Sequence, residues 1–213
     1  MDDFVPICRV SIQTGIFTVK ANARWKTLKD LIEEAKKSPG KLTFSSAGVF
    51  GTDHFAMETL QKLGKFKATH IPATGVAPAL TATLGGHVDF TFSPEVSVSP
   101  HIKSGTLRAL AVSGDKRLEE FPDVPTFSEL GYRVTYLGWY GLVGPKGIPD
   151  QVLKTIYDAC DKTMEVHKKS IEDQEKKMLS IPAYIKGEEF VKELKSHYDI
   201  AKEVFEDLQK SMK

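Results

Sequence analysis

Two hydrophobic periods alternate along this chain, one near two residues and one near 3.6, and they trade places repeatedly. Val5 to Val19 is an alternating stretch rich in β-branched residues and punctuated by Gly15, which predicts two short strands or a hairpin. Thr27 followed three residues on by Asp30 reads as a capping box opening a helix whose apolar face is Leu28, Leu31, Ile32 and Ala35. Ser38, Pro39 and Gly40 stop that helix. The pattern then predicts strands over 41–44, 68–71, 88–92 and 107–113. Between them it predicts helices carrying Phe55, Ala56, Leu60 and Leu63, then Leu80 and Leu84, then a short one from Ser93 and Pro94 through Ile102. Thr52 or Asp53 is expected to cap the first of these, and Pro78 suits the first turn of the second. Thr126 with Glu129 repeats the capping-box spacing, and 134–143 is aromatic-rich and extended. A long helix after Pro149 places Val152, Leu153, Ile156, Tyr157, Cys160 and Met164 on one face. A last helix from Gly187 does the same with Phe190, Val191, Leu194, Ala201, Val204, Phe205 and Leu208. Strands alternating with helices make this an α/β chain with a largely parallel sheet.

Twice, a short apolar strand runs into a small-residue turn that opens directly onto a helix. The first turn follows Phe44 and contains Ser45, Ser46, Ala47, Gly48, Gly51 and Thr52; the second follows Ile71 and contains Thr74, Gly75, Val76 and Ala77. Such turns aim backbone N–H groups and the positive end of a helix dipole at one spot. Successive parallel strands deliver their C-terminal turns to one sheet edge, where open α/β folds bind ligands. Two turns side by side predict an anion receptor that needs neither metal nor nucleophile. The turn at Ser93 would be a third on that edge.

Composition narrows the choice. Among 213 residues, 29 lysines and arginines nearly balance 28 acidic residues, so no global field favours nucleic acid or an anionic membrane. No apolar run approaches the ~20 residues of a membrane span. The two cysteines, Cys8 and Cys160, lie far apart in sequence and read as buried small hydrophobes in preference to a disulfide or metal pair. The first residues, Met1 to Cys8, show no basic leader followed by an apolar stretch, so no signal peptide is expected within this sequence.

Alternative chemistries fit poorly. Gly51 is followed by Thr52 and Asp53, where a Walker P-loop needs lysine and then serine or threonine. Gly48 and Gly51 lack the third glycine of a dinucleotide fingerprint. Ser45, Ser46, His54 and Asp89 invite a hydrolase reading, but no nucleophile-elbow sequence is present. His54, in the first turn of its helix, is expected to bond the turn or pack beneath it, and His70 reads as a structural histidine. No enzyme activity, cofactor or metal is expected.

A wider set of residues carries a family resemblance. Pro39 to Leu42, Ser45 to Gly48, Gly51 to His54, Ile71 and Pro72 with Gly75, Ala77 to Leu80, and Leu84 to Asp89 occur in a characteristic order. So do Gly105 to Val112, Arg117, Pro125 and Thr126, Glu129 to Gly131, Trp139 to Leu142, and Pro145. Over roughly residues 5 to 205 the chain resembles the substrate-binding receptors of tripartite tricarboxylate transporters, the TctC or Bug proteins. The resemblance implies a two-lobed, periplasmic-binding-protein-like (type II) fold with three-layer αβα lobes that close on a small carboxylate. It implies an extracytoplasmic receptor working with membrane permease subunits and binding no nucleic acid. Carried onto this chain, the ligand-binding residues are Ser45, Ala47, Gly51, Thr52, Thr74, Gly75, Val76 and Ala77, with Ser93 on the third turn.

The chain departs from the family pattern in two ways. Relatives are typically about half as long again at the N-terminus, so residues 41–137 are expected to form a complete lobe two, and 1–40 with 138–213 an incomplete lobe one. Apolar surface on that incomplete lobe would favour a homodimer. Ser93 stands where many relatives have an aspartate that pairs with an amino group, and Ala73 and Thr74 replace an aromatic-and-lysine pair. An uncharged Ser93 favours a di- or tricarboxylate or an aromatic acid over an amino acid. The resemblance places the protein in the periplasm; a naturally short form without a leader would be cytoplasmic. Competing readings are a ligand-sensing domain that regulates a partner protein and a shortened form that binds nothing.

Overall fold

Thr27 caps α1 (Leu28–Lys37) as its sequence predicts. Its Oγ1 accepts from the Asp30 N–H at 3.1 Å, and Asp30 Oδ2 accepts from the Thr27 N–H at 2.9 Å. Leu28, Leu31, Ile32 and Ala35 are all buried along one face. The structure is a computed structural model and describes residues 3–134 and 138–211, with side chains in the last helix described at 187–196, 198, 199, 202, 205 and 206.

The chain forms two units, one from Met1–Gln13 with Trp139–Lys213 and the other from Thr14–Gly138. The longer unit is built on a five-stranded sheet in the order β4-β3-β5-β2-β6. Its strands are β2 (Gly15–Lys20), β3 (Thr43–Ser46), β4 (Thr69–Pro72), β5 (Phe90–Pro94) and β6 (Leu107–Val112). β3 pairs in parallel with β4 and β5, whereas β2 runs antiparallel to both β5 and β6. The sheet is therefore mixed, not largely parallel. β2 enters it from the opposite end because the chain arrives there directly from β1 (Phe4–Gln13) through the single residue Thr14. A one-residue link cannot make a hairpin turn, so β1 and β2 join different sheets. Gly15 at this junction meets the Phe92 ring so closely that a Cβ would lie 2.1 Å from it.

Helices cover both faces of the sheet. On one side α1 and α2 (Thr52–Gly64) pack Leu28, Leu31, Ile32, Ala56, Met57 and Leu60 against Phe17, Phe44 and Phe90. On the other, α3 (Val76–Gly85) and α4 (Glu95–Lys103) bring Leu80 and Val98 to Ile16, Leu107 and Val112. This three-layer αβα arrangement draws α1 into the same unit as β3 to β6. The boundary consequently falls between residues 13 and 14, where the sequence alone suggested 40 and 41. The predicted strands at 41–44 and 88–92 are realised two residues later, at β3 and β5, and that at 68–71 one residue later, at β4. Leu63, one of the apolar residues of the predicted helix, is 45% exposed, while Met57 is buried in the core. The capping-box bonds between Thr126 and Glu129 form at 2.8 and 3.0 Å, but around a short turn and not a helix.

The other unit has a three-stranded sheet in the order β7-β1-β8, with β7 at Gly138–Pro145 and β8 at Ser180–Lys186. β8 pairs antiparallel with β1 and was not marked by any strong sequence period. α5 (Asp150–Val166), α6 (Lys168–Lys177) and α7 (Gly187–Ser211) complete it. The predicted face of α5 is realised only half-way: Leu153, Ile156, Tyr157, Cys160 and Met164 are intermediate in exposure, Val152 is exposed, and no α5 residue is fully buried. Phe190 on α7 is fully buried and meets Trp139 edge to face at 5.2 Å between ring centroids. The expected extended segment 134–143 falls partly, at 135–137, outside the described residues, as do the side chains of Ala201, Val204 and Leu208. No helix of the described residues is long and apolar enough to cross a membrane.

Candidate functional site

The C-terminal ends of β3, β4 and β5 lie at one edge of the five-stranded sheet, and each opens onto a helix. The N-caps are Gly51 for α2, Gly75 for α3 and Pro94 for α4, and none makes a side-chain capping bond. Gly51 thus takes the capping position expected for Thr52 or Asp53, which instead become the first two helical residues. In the same unit α1 has a complete capping box. The three helices on this edge present their first N–H groups without one.

The first turn supplies its own anion. Asp53, buried, accepts the Ala47 N–H through Oδ2 and the His54 N–H through Oδ1 at 3.1 Å. His54 Nδ1 accepts the Phe50 N–H at 3.0 Å, holding Phe50 at a left-handed φ of 63°. With Nδ1 accepting, the neutral His54 ring carries its proton on Nε2, which lies 3.6 Å from Glu58 Oε1. His54 therefore both bonds the turn and packs beneath it, stacked on His70 at 3.9 Å between ring centroids. His70 in turn lies on Phe44 at 4.8 Å, extending an aromatic column through Phe90 to Phe17. Burial, with a further contribution from His54, pushes the His70 pKa down to about 4.

The second turn has no such internal partner. Ala73 donates its N–H to Ser46 O at 3.0 Å, and Ala79 donates to Gly75 O at 3.2 Å. Among the described residues, no hydrogen bond uses the intervening N–H groups of Thr74, Gly75, Val76 or Ala77, and Pro78 has none to offer. The first turn of α3 contains no acidic residue, whereas α2 has Asp53 and α4 has Glu95. Glu95 is almost fully buried, and burial followed by repulsion from Glu120 pushes its pKa up to about 7. The helix start on this edge with no acidic residue in its first turn is that of α3.

The nine sequence-predicted residues therefore divide. Ser45 is buried and donates its hydroxyl to Ile71 O at 2.8 Å. Ser93 is buried with its Oγ 3.2 Å from Thr91 Oγ1, and the Ala47 N–H is taken by Asp53. Gly51, Thr52, Thr74, Gly75, Val76 and Ala77 remain solvent-accessible on the edge. Asp53 is the residue of the first turn that the sequence placed as a possible cap and that the structure bonds back to Ala47. Its position one residue inside the helix, six after Ala47, was the available signal.

Ser46 and His70 are 2.7 Å apart, the one serine–histidine contact of the turn, yet the Ser46 hydroxyl is fully buried and within 2.9 Å of Gly48 O. It is a structural bond that ties β3 to β4. Among the described residues, no group of three His, Cys, Asp or Glu side chains is placed to hold a metal. A concavity of about 340 Å³, lined in part by Lys20, Arg24, Trp25, Gly86 and Asp89, lies at the opposite edge of the sheet. There Arg24 pairs with Glu34, and Asp89 accepts from the Thr43 N–H at 2.8 Å. The turns and this concavity are separate places.

Comparison with known proteins bears on the fold. Residues 1–180 match the profile of the tripartite tricarboxylate transporter family receptor. A UPF0065 protein of Cupriavidus necator, described as lying in the gbd 5′ region, is 37% identical over 148 residues, covering 70% of this chain and 45% of that protein. The crystal structure of a TctC solute-binding protein from Polaromonas superposes with a TM-score of 0.80 at 29% identity, covering 96% of this chain and 70% of the other. An R. palustris protein with adipate shares the fold at a TM-score of 0.78 and 21% identity, covering 95% of this chain and 69% of its own. The chain spans about half the length of the curated relatives it matches.

Proposed function

The chain belongs to the tripartite tricarboxylate transporter receptor family, a family of solute receptors and not of enzymes, and on that premise we propose that it binds a small carboxylate at the N-terminus of α3. The observation that carries this reading is the run of four consecutive N–H groups, Thr74 to Ala77, without an internal acceptor at the one helix end on the edge that lacks an acid. A carboxylate oxygen there would accept two or more charge-assisted hydrogen bonds and sit at the positive end of the helix. Gly51 and Thr52 contribute from the neighbouring turn, while Asp53 keeps that turn in shape.

Asp53 and Glu95 also bias the choice of ligand. Among the described residues, no Lys or Arg side chain is recorded bonded to Ala47, Thr74, Gly75, Val76 or Ala77, so recognition rests on backbone dipoles. Ser93, buried and uncharged, offers no partner for an ammonium group. The favoured ligands are therefore di- or tricarboxylates and aromatic acids over amino acids, and the adipate held by the R. palustris protein of the same fold belongs to the first class. The role is that of an extracytoplasmic, periplasmic receptor delivering its ligand to the permease subunits of a tripartite transporter.

A thermal-shift panel tests the reading, using adipate, malate, succinate, citrate, benzoate, glutamate and an uncharged sugar. A ligand at 100 times its dissociation constant adds about 2.7 kcal/mol to stability. A selective shift by one or more of the non-amino acids supports the proposal. A folded protein that responds to none of the carboxylates overturns it.

A further inference from the structure

The two cysteines of this chain, 152 positions apart, meet. Cys8 is on β1 with 1% of its surface exposed, Cys160 is on α5 and partly exposed, and their sulfur atoms are 3.7 Å apart. Both belong to the unit assembled from the two ends of the chain, residues 1–13 and 139–213. We propose that Cys8 and Cys160 are an intramolecular disulfide pair, joined under oxidising conditions, that staples the two discontinuous segments of this unit to each other.

The surroundings favour a bond between these two sulfurs over any other use of them. The sulfurs are in van der Waals contact, so closing the bond asks for a shift of side chains and not for a search by the chain. Three histidine or acidic neighbours suitable for a metal are not grouped there among the described residues. α5 has no fully buried residue, so a covalent link to β1 would give this amphipathic helix an anchor that its packing lacks. The loop it closes contains the entire other unit, Thr14–Gly138. Constraining a loop of that length removes much of the freedom of the unfolded chain.

The order of reaction follows from exposure. Burial, with the neighbouring sulfur, pushes the Cys8 thiol up to about 11, so Cys160 reacts first. With a small disulfide such as oxidised glutathione as oxidant, the Cys160 thiolate attacks one sulfur and expels one glutathione thiolate. Cys8 then loses its proton to solvent, and its sulfur attacks Cys160 Sγ, expelling the second glutathione thiolate. Two protein thiols give up two hydrogens, and one glutathione disulfide becomes two thiols. Nothing in this depends on the carboxylate reading.

The test equilibrates the full chain with mixtures of oxidised and reduced glutathione, under native conditions and in guanidinium chloride. The species are trapped in acid and read by intact mass, peptide mapping and thiol titration. The expected result is loss of both thiols, a mass lower by two hydrogens, and a single linked peptide pair containing Cys8 and Cys160. The effective concentration of the pair should be at least about tenfold higher in the native state than in denaturant. Cys160→Ala, at a partly exposed position, should keep the circular dichroism spectrum and leave Cys8 unreacted. The proposal is overturned by two free thiols at the oxidising end of the series. Glutathione retained on Cys160 alone, disulfides only between molecules, or equal effective concentrations in the two conditions would overturn it as well.

Discussion

Replacing Gly75 by alanine separates ligand binding from folding at this site. Gly75 has an extended backbone, with φ 162° and ψ 176°, and a Cβ added there would meet nothing closer than the Pro78 Cδ at 3.9 Å. The fold therefore has room for the methyl. Alanine is a poorer N-cap than glycine by several tenths of a kcal/mol, and the unfolded chain loses entropy worth about 0.4–1 kcal/mol in the opposite direction, so stability should change by less than about 1 kcal/mol. Binding is different, because the methyl would occupy the space over the N–H groups of Gly75, Val76 and Ala77. Hydrogen bonds to a charged group are worth about 1.5–3 kcal/mol each, so losing two predicts a loss of 3 kcal/mol or more, about 100-fold or more in affinity. At a ligand concentration 100 times the native dissociation constant, stabilisation would fall from about 2.7 to about 0.4 kcal/mol. Thermal shift with the best acid of the panel, followed by titration calorimetry, reads this directly. Native affinity in a folded Gly75→Ala protein would refute the placement of the anion on α3.

Three further substitutions test the electrostatics of the edge. Asp53→Asn removes a buried charge-assisted bond to the Ala47 N–H and a favourable charge at the start of α2, and should cost about 1–3 kcal/mol in urea unfolding. Carboxylate binding should survive it; loss of binding with the fold intact would move the ligand to the first turn. His70, with its pKa pushed down to about 4 by burial, is neutral in the folded protein while the unfolded state takes up a proton below about 6.5. Stability should consequently fall as pH drops from about 6.5 to about 4, and His70→Gln should flatten that limb; an unchanged slope would remove His70 as its source. Glu95 has the opposite sign. Its pKa is raised to about 7, so the stability of the protonated form is lost as pH rises from about 4.5 to about 7. Glu95→Gln should therefore raise the melting temperature at pH 8 and leave it nearly unchanged at pH 4.5, and equal effects at both pH values would contradict a buried acid.

Local signals in the sequence determined much of this protein. The capping box at Thr27 and Asp30 depends on two side chains three residues apart, and it forms as the spacing dictates. The periodicity of Leu28, Leu31, Ile32 and Ala35 needs only a sheet to pack against, and the small-residue turns after β3 and β4 are strand-to-helix junctions wherever the strands go. The family, too, is carried by motifs along the chain. What the sequence did not determine was non-local. The pairing of β2 with β5 and β6 joins residues 15–20 to 90–94 and 107–112, and no nearest-neighbour pattern records it. That pairing moved the unit boundary to residue 13. The two cysteines looked isolated because β1 and α5, 152 positions apart at these residues, meet only once the chain has left one unit and returned to it. The two turns looked equivalent because each has glycine, threonine and a following helix. The folded geometry of the first turn aims the Asp53 carboxylate, six residues on, back onto Ala47, and the second turn has no such carboxylate, leaving Thr74 to Ala77 without an acceptor. Backbone N–H groups are identical in every sequence, and which of them remain unsatisfied is decided by where the folded chain aims its carboxylates and carbonyls.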